Sequence, residues 1–178
     1  MKPAFEKAAA RLADVLKEHA ENKDKRPASR AALAKLRQSL QNPLYAAPYV
    51  APCTEGLDGW GEELMYLVAG LFALNPNHQE GVSFAAAFRS MPDKSDSTER
   101  RFQMLLAARR EQLPDLLRHG VKLMASKGAG LDWKLLMLDL YGWESPYNSV
   151  QRKWARDFYR GQAAEDLGEE NTEGEVSA

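Results

Sequence analysis

The chain has 178 residues, 44% of them hydrophobic and 28% charged, with a formal net charge of -1. That length suits one domain, or two small helical lobes sharing a core. No run approaches the roughly 18 consecutive apolar residues of a membrane-spanning helix, so no membrane partner is expected. Met1-Lys2-Pro3-Ala4-Phe5-Glu6 reaches charge at once, without the apolar region of a secretory signal. The single cysteine, Cys53, excludes an internal disulfide framework and points to a reducing, cytoplasmic setting.

The net charge averages two unlike parts. Residues 162–178 hold six acidic side chains and no Lys or Arg, with almost nothing to bury, and are expected to form a disordered acidic tail. Of the 25 acidic residues nineteen remain in 1–161 against all 24 basic ones, so that body carries about +5. A cationic body suggests a polyanionic partner, although such a charge also serves solubility alone.

In chain order the pattern is helical. Phe5, Ala8, Ala9, Leu12, Val15, Leu16 and His19 share one face of a first helix, which ends at the polar break Glu21 to Arg26. Pro27 suits the first turn of a second helix running to about Leu40, with Leu33, Leu36 and Leu40 inward. Pro43, Pro48 and Pro52 predict an irregular connector over 41–57, strapped to the core by Tyr45, Tyr49 and Val50. From Asp58 to Leu74 apolar residues surround most of a helix, which places it centrally. A short helix follows over Ser83 to Arg89, and the polar stretch Met91 to Ser95 is the best place for a lobe boundary, near 91–96. Asp96 and Glu99 have capping-box spacing for the next helix. Another helix runs from near Pro114 to a cap at Gly128, and one over Asp132 to Tyr141 is apolar nearly all round. Ser145-Pro146 supplies an N-cap and first-turn proline for a last helix reaching Arg160. No segment alternates as a strand does. The expected fold is all-α, a compact bundle of about eight helices over residues 1–161.

Catalysis finds little support. His19, His78, His119 and Cys53 show no CxxC, HxxxH or HExxH spacing, so neither a metal nor another cofactor is expected. Neither GxxxxGK(S/T) nor GxGxxG occurs, and no Ser/His/Asp or Cys/His set can be nominated.

The cations carry more information. In the last helix Tyr147, Val150, Trp154 and Phe158 share an arc of about 80°. Arg152, Lys153, Arg156 and Arg160 fall within about 100° on the opposite side, with Tyr159 at their edge and Asp157 nearer the apolar stripe. Like charges on one face repel unless something anionic lies against them. On the second helix Arg30 and Arg37 flank the leucine stripe about 10.5 Å apart, far enough to clamp separated phosphates. Arg100, Arg101, Arg109 and Arg110 form a third cluster, in which Arg101 borders the apolar arc and is also suited to hold a carboxylate or helix C-terminus. Arg118 and Lys122 extend a basic edge at i, i+4. Such a surface would track nucleic-acid backbone rather than read sequence. Two other readings stay open: a helical scaffold binding only protein through the all-round apolar helix, and a helix-turn-helix regulator reading bases with Asn148, Ser149 and Gln151.

Three segments carry a family resemblance: Asp96-Ser97-Thr98-Glu99-Arg100-Arg101-Phe102, Leu131-Asp132-Trp133-Lys134-Leu135-Leu136 and Val150-Gln151-Arg152-Lys153-Trp154-Ala155-Arg156-Asp157-Phe158-Tyr159. With Ser83-Phe84-Ala85-Ala86-Ala87-Phe88-Arg89 and the order of helices, they resemble the CasB family, small subunits of the type I-E CRISPR Cascade surveillance complex. The resemblance implies an all-helical, non-catalytic protein present as two copies among other Cascade subunits. It would line the path of CRISPR RNA paired with target DNA and steady the displaced single strand in antiviral defence. By this likeness Arg37, Arg89, Arg100, Arg101 and Arg156 take matching basic positions. The acidic tail lies outside the pattern.

Overall fold

The computed structural model of the chain describes residues 3–91 and 96–160. In order they form α1 (Pro3–Glu21), α2 (Pro27–Gln38), α3 (Ala47–Val50), α4 (Gly59–Leu74), α5 (Phe84–Arg89), α6 (Asp96–Leu106), α7 (Leu113–Ser126) and α8 (Trp133–Tyr141). A last helix, α9, spans 149–160. The architecture is all-α, with nine α-helices among the described residues where about eight were expected. The sole β-type pairing there is an isolated bridge between His78 and Leu131. No described helix is long and apolar enough to cross a membrane.

Helix ends follow the local chemistry of the sequence. Asp58 accepts the Gly61 N–H at 2.8 Å, Ser83 that of Ala86 at 3.2 Å, and Asp132 those of Lys134 and Leu135 at 3.0 and 3.1 Å. Each carboxylate or hydroxyl satisfies amides that a helix N-terminus leaves without partners. At the other end of α7 the Ala129 N–H reaches the Met124 carbonyl at 3.0 Å and Gly128 that of Ala125 at 3.3 Å. This six-to-one closure needs a left-handed residue, and Gly128 supplies it with a φ of 71°.

Two expectations need correction. Over 41–57 the prolines do not forbid helix; each sits in the first turn of a short element, Pro43–Ala46, α3 or Ala51–Cys53. There a missing N–H leaves no bond unmade, so three short turns follow one another. Ala46, Val50 and Cys53 bury this segment while Tyr45 is exposed. Near the C-terminal end, Ser145-Pro146 does not open α9. Pro146–Asn148 is a 3-10 turn in which Tyr147 and Asn148 have φ of 67° and 52°. Left-handed residues cannot lie inside a right-handed helix, so α9 begins at 149.

Helix α4 is central, packing on α1, α2, α7 and α8. One hydrophobic cluster runs from Phe5 to Phe158. Its C-terminal part is aromatic: Phe84 stacks on Trp154 with centroids 5.0 Å apart, and Phe102 on Phe158 at 4.2 Å, joining α5 and α6 to α9. The expected lobe boundary falls on residues 92–95, which lie outside the described residues, as do the acidic tail and the side chain of Asp96. Trp154 is fully buried in this stack. Replacing it by Ala is expected to cost about 3–5 kcal/mol, read as a lower denaturant midpoint at unchanged slope.

Candidate functional site

Burial of Trp154 and Phe158 sets the rotation of α9, and its other faces follow. On one flank the carboxylate of Asp139 of α8, whose side chain is 11% exposed, accepts Trp154 Nε1 at 2.7 Å and Lys153 Nζ at 2.9 and 3.1 Å. Beside it, the Ser83 hydroxyl donates to Asp157 at 2.8 Å and Arg89 Nη1 to the Asp157 carbonyl at 3.3 Å, tying α5 to α9. These bonds border an open surface cavity of about 530 Å³ lined by Arg89, Lys153, Arg156 and Arg160, together with Ser83, Asp157, Gly81, Ala86 and Leu135. Arg156 and Arg160 are exposed. The Nε of Arg89 is buried without a hydrogen-bond partner among the described residues.

The thirteen cations singled out in the sequence therefore divide among several settings rather than one groove. Arg152 is exposed on α9, one turn before Arg156, and extends the face of the cavity. Arg100 and Arg101 are exposed on α6, which is bound to α9 through Phe102 and Phe158 and through Tyr159. The Tyr159 hydroxyl donates to Glu99 at 3.2 Å, and Gln103 Nε2 reaches both Glu99 and Tyr159, at 3.0 and 3.2 Å. Among the described residues the Arg101 Nη1 donates to Ser97 Oγ at 3.3 Å.

Three others are committed to the fold. Arg37 donates twice to the Ala73 carbonyl, from Nε at 3.3 Å and Nη2 at 3.0 Å, closing the C-terminus of α4. Arg118 Nη2 donates to the Leu40 carbonyl at 3.1 Å. The Arg110 guanidinium lies 3.7 Å over the Trp60 ring and pairs with Glu144 at 3.3 Å. Arg30, Arg109 and Lys122 are exposed and pair with no carboxylate among the described residues. A second, mostly apolar cavity of about 500 Å³ lies between α2, α4 and α7, lined by Leu40, Glu62, Glu63, Tyr66, Leu67 and Arg118. Among the described residues no His, Cys, Asp and Glu side chains gather in threes for a metal.

Sequence reasoning passed over Ser83 and Asp139, which organise the basic cavity. The signal was present for Asp139, a lone carboxylate inside the apolar run Trp133 to Tyr141. Buried carboxylates need donors, and the nearest helix supplies two.

These features define a small all-helical protein that displays cations along its C-terminal helix and around a cavity beside it. The family model described as CRISPR-associated protein Cse2 matches residues 32–159. CRISPR-associated protein Cse2 of Thermus thermophilus is 38% identical over 143 residues, covering 76% of this chain and 83% of that one. The crystal structure of CasB from Thermus thermophilus is similar at 36% identity and a TM-score of 0.72, over 89% of this chain and 99% of the other. A chain of a CRISPR RNA-guided surveillance complex is similar at 26% identity and a TM-score of 0.69, over 94% and 99%. The chain belongs to the Cse2, or CasB, family of CRISPR-associated proteins. The four segments that carried the resemblance all lie within the matched span.

Replacing Asp139 by Asn leaves the Lys153 ammonium without its carboxylate, with an expected loss of about 1.5–3 kcal/mol in chemical denaturation. Tyr159 makes a pH-dependent contribution. Burial chiefly, and Glu99 besides, raises its hydroxyl above the usual 10.0. The fold therefore favours the neutral phenol, a contribution fully present below the unfolded pKa and lost as pH rises through the folded one. Unfolding free energies of the native chain and Tyr159→Phe are expected to keep a constant separation below about pH 10 and to draw together as pH rises above it.

Proposed function

We propose that this chain is a non-catalytic small subunit of a Cascade-type surveillance complex, holding nucleic-acid backbone with the outer face of α9 and the cavity between α5, α8 and α9. The observation that carries this reading is the convergence of Arg89, Lys153, Arg156 and Arg160 on one cavity, with Arg156 and Arg160 exposed. Phosphate oxygens accept from the exposed guanidinium groups and neutralise the like charges there. In RNA-guided recognition base pairing specifies the sequence and protein contacts the backbone, so a tracking surface is what such a subunit needs. The partners are then CRISPR RNA paired with target DNA, the displaced single strand, and the neighbouring Cascade subunits, with two copies of this chain per cytoplasmic complex.

Arg152, Arg100 and Arg101 extend the contact face, and Arg30, Arg109 and Lys122 are peripheral candidates. Docking onto protein neighbours also has a candidate surface, the apolar cavity near Leu40, beside which Leu44 is 73% exposed. The helix-turn-helix reading loses its base readers. Gln151 Nε2 donates to the Trp143 carbonyl at 2.9 Å, the Ser149 hydroxyl is tied to that of Ser145, and Asn148 lies in the turn before α9.

The isolated protein is expected to bind single-stranded DNA without sequence preference, with a Kd on the order of 10⁻⁴–10⁻⁶ M at physiological salt. Arg156→Ala and Arg160→Ala should each reduce the magnitude of the slope of log K against log salt by about 0.7–0.9. Arg37→Ala should lower stability and leave that slope alone. Unchanged slopes for both α9 variants would remove the support for a phosphate track.

A further inference from the structure

The turn ahead of α9 is held in an unfavourable conformation and presents a side chain that no neighbour uses. Tyr147 and Asn148 are the non-glycine residues of positive φ among those described, at 67° and 52°. Asn tolerates the left-handed region because its short side chain bonds locally, whereas a tyrosine there is strained. Packing normally offsets such a cost. Here the Tyr147 side chain is 86% exposed and makes no ring contact among the described residues. The turn is nonetheless well determined: Pro146 restricts its first φ, the Asn148 N–H donates to the Ser145 carbonyl at 3.3 Å, and the Ser145 and Ser149 hydroxyls meet. Neither core packing nor helix capping accounts for an aromatic at this position.

The charges beyond Tyr147 indicate what the ring meets. Arg152, Arg156 and Arg160 succeed one another at i+4 along the exposed side of α9, and Arg152 stands only about 4.5 Å of helix rise past residue 149. A ring at the head of a row of cations is the pairing that grips an unpaired strand, the ring taking a base face and the guanidinium groups taking phosphates. A duplex or hybrid keeps its bases stacked on one another and offers no such face. On α9 itself Trp154 and Phe158 are buried, and Tyr159 is unsuited because its hydroxyl is tied to Glu99 and its body is half-buried.

We propose that Tyr147 is a stacking platform for one unpaired base of a single strand whose backbone runs along Arg152, Arg156 and Arg160. This rests on the phosphate-tracking reading of α9 and adds that the ligand of this end of the helix is single-stranded.

The test compares oligothymidylate with an abasic deoxyribose-phosphate chain of equal length and charge, each binding the full-length protein in fluorescence anisotropy. The native protein should bind oligothymidylate about fivefold or more tightly than the abasic chain, the lower end of what stacking on one aromatic contributes. Tyr147→Ala should lose that difference while keeping the native salt slope, and Tyr147→Phe should retain it. Tyr147→Gly should also lose it and melt no lower than the native protein, since glycine adopts this φ freely; that variant separates loss of the ring from loss of the fold. Equal binding of both chains by the native protein overturns the proposal, as does a Tyr147→Ala variant that still discriminates or weakens both alike. A defect confined to co-purification with the other complex subunits overturns it too, by making the ring a protein contact. If the native protein binds neither chain, it is the phosphate track itself that fails, and the platform with it.

Discussion

A carboxylate buried between two helices sets the geometry on which the rest of this molecule depends. Asp139 sits in α8 among leucines and a methionine, where an unpaired charge would be prohibitive. The Trp154 indole and the Lys153 ammonium, adjacent on α9, both turn to it. Together with the burial of Trp154 and Phe158, that pair of bonds fixes which side of α9 faces the core, and hence where every other side chain of the helix points. With Trp154 and Phe158 inward, Arg152, Arg156 and Arg160 can only be outward. The cost of burying the carboxylate is offset by charge-assisted bonds from two neighbours, and the return is a fixed rotation rather than stability in itself.

The second constraint is the joint between α5 and α9. Ser83 caps α5 through its oxygen and spends its proton on Asp157, so one hydroxyl serves both a helix start and an interhelical contact. Arg89, at the other end of α5, reaches the Asp157 carbonyl with one nitrogen, and its Nε has no acceptor among the described residues. The cavity thus combines structural pairing with the exposed guanidinium groups of Arg156 and Arg160.

Membership of the Cse2 family places these features in an all-helical architecture shared with chains of solved CasB structures. The matched span begins inside α2, so α1 lies outside it. Yet α1 is integral to this fold: Phe5 stacks on Tyr141 of α8 with centroids 4.0 Å apart, and Leu12 and Leu16 are fully buried. The N-terminal helix therefore buttresses α8, and through Asp139 the orientation of α9.

Helical periodicity, capping residues and the separation of apolar from cationic faces are local properties, and the sequence alone determined them: the all-α fold, the central α4, the inward Trp154 and Phe158 and the outward arginines of α9. The order of four motifs was likewise enough to point to the family. What one helix cannot know is what lies across from it. Arg37 meets a carbonyl 36 residues away and Arg118 one 78 residues away, so charges that looked available for a polyanion close backbone groups instead. Nor could spacing foresee that the prolines of 41–57 start turns, or that Tyr147 and Asn148 reverse their φ before α9. Those outcomes depend on satisfying backbone and carboxylate groups brought together only by packing, a condition imposed by the folded interior on residues far apart in the chain.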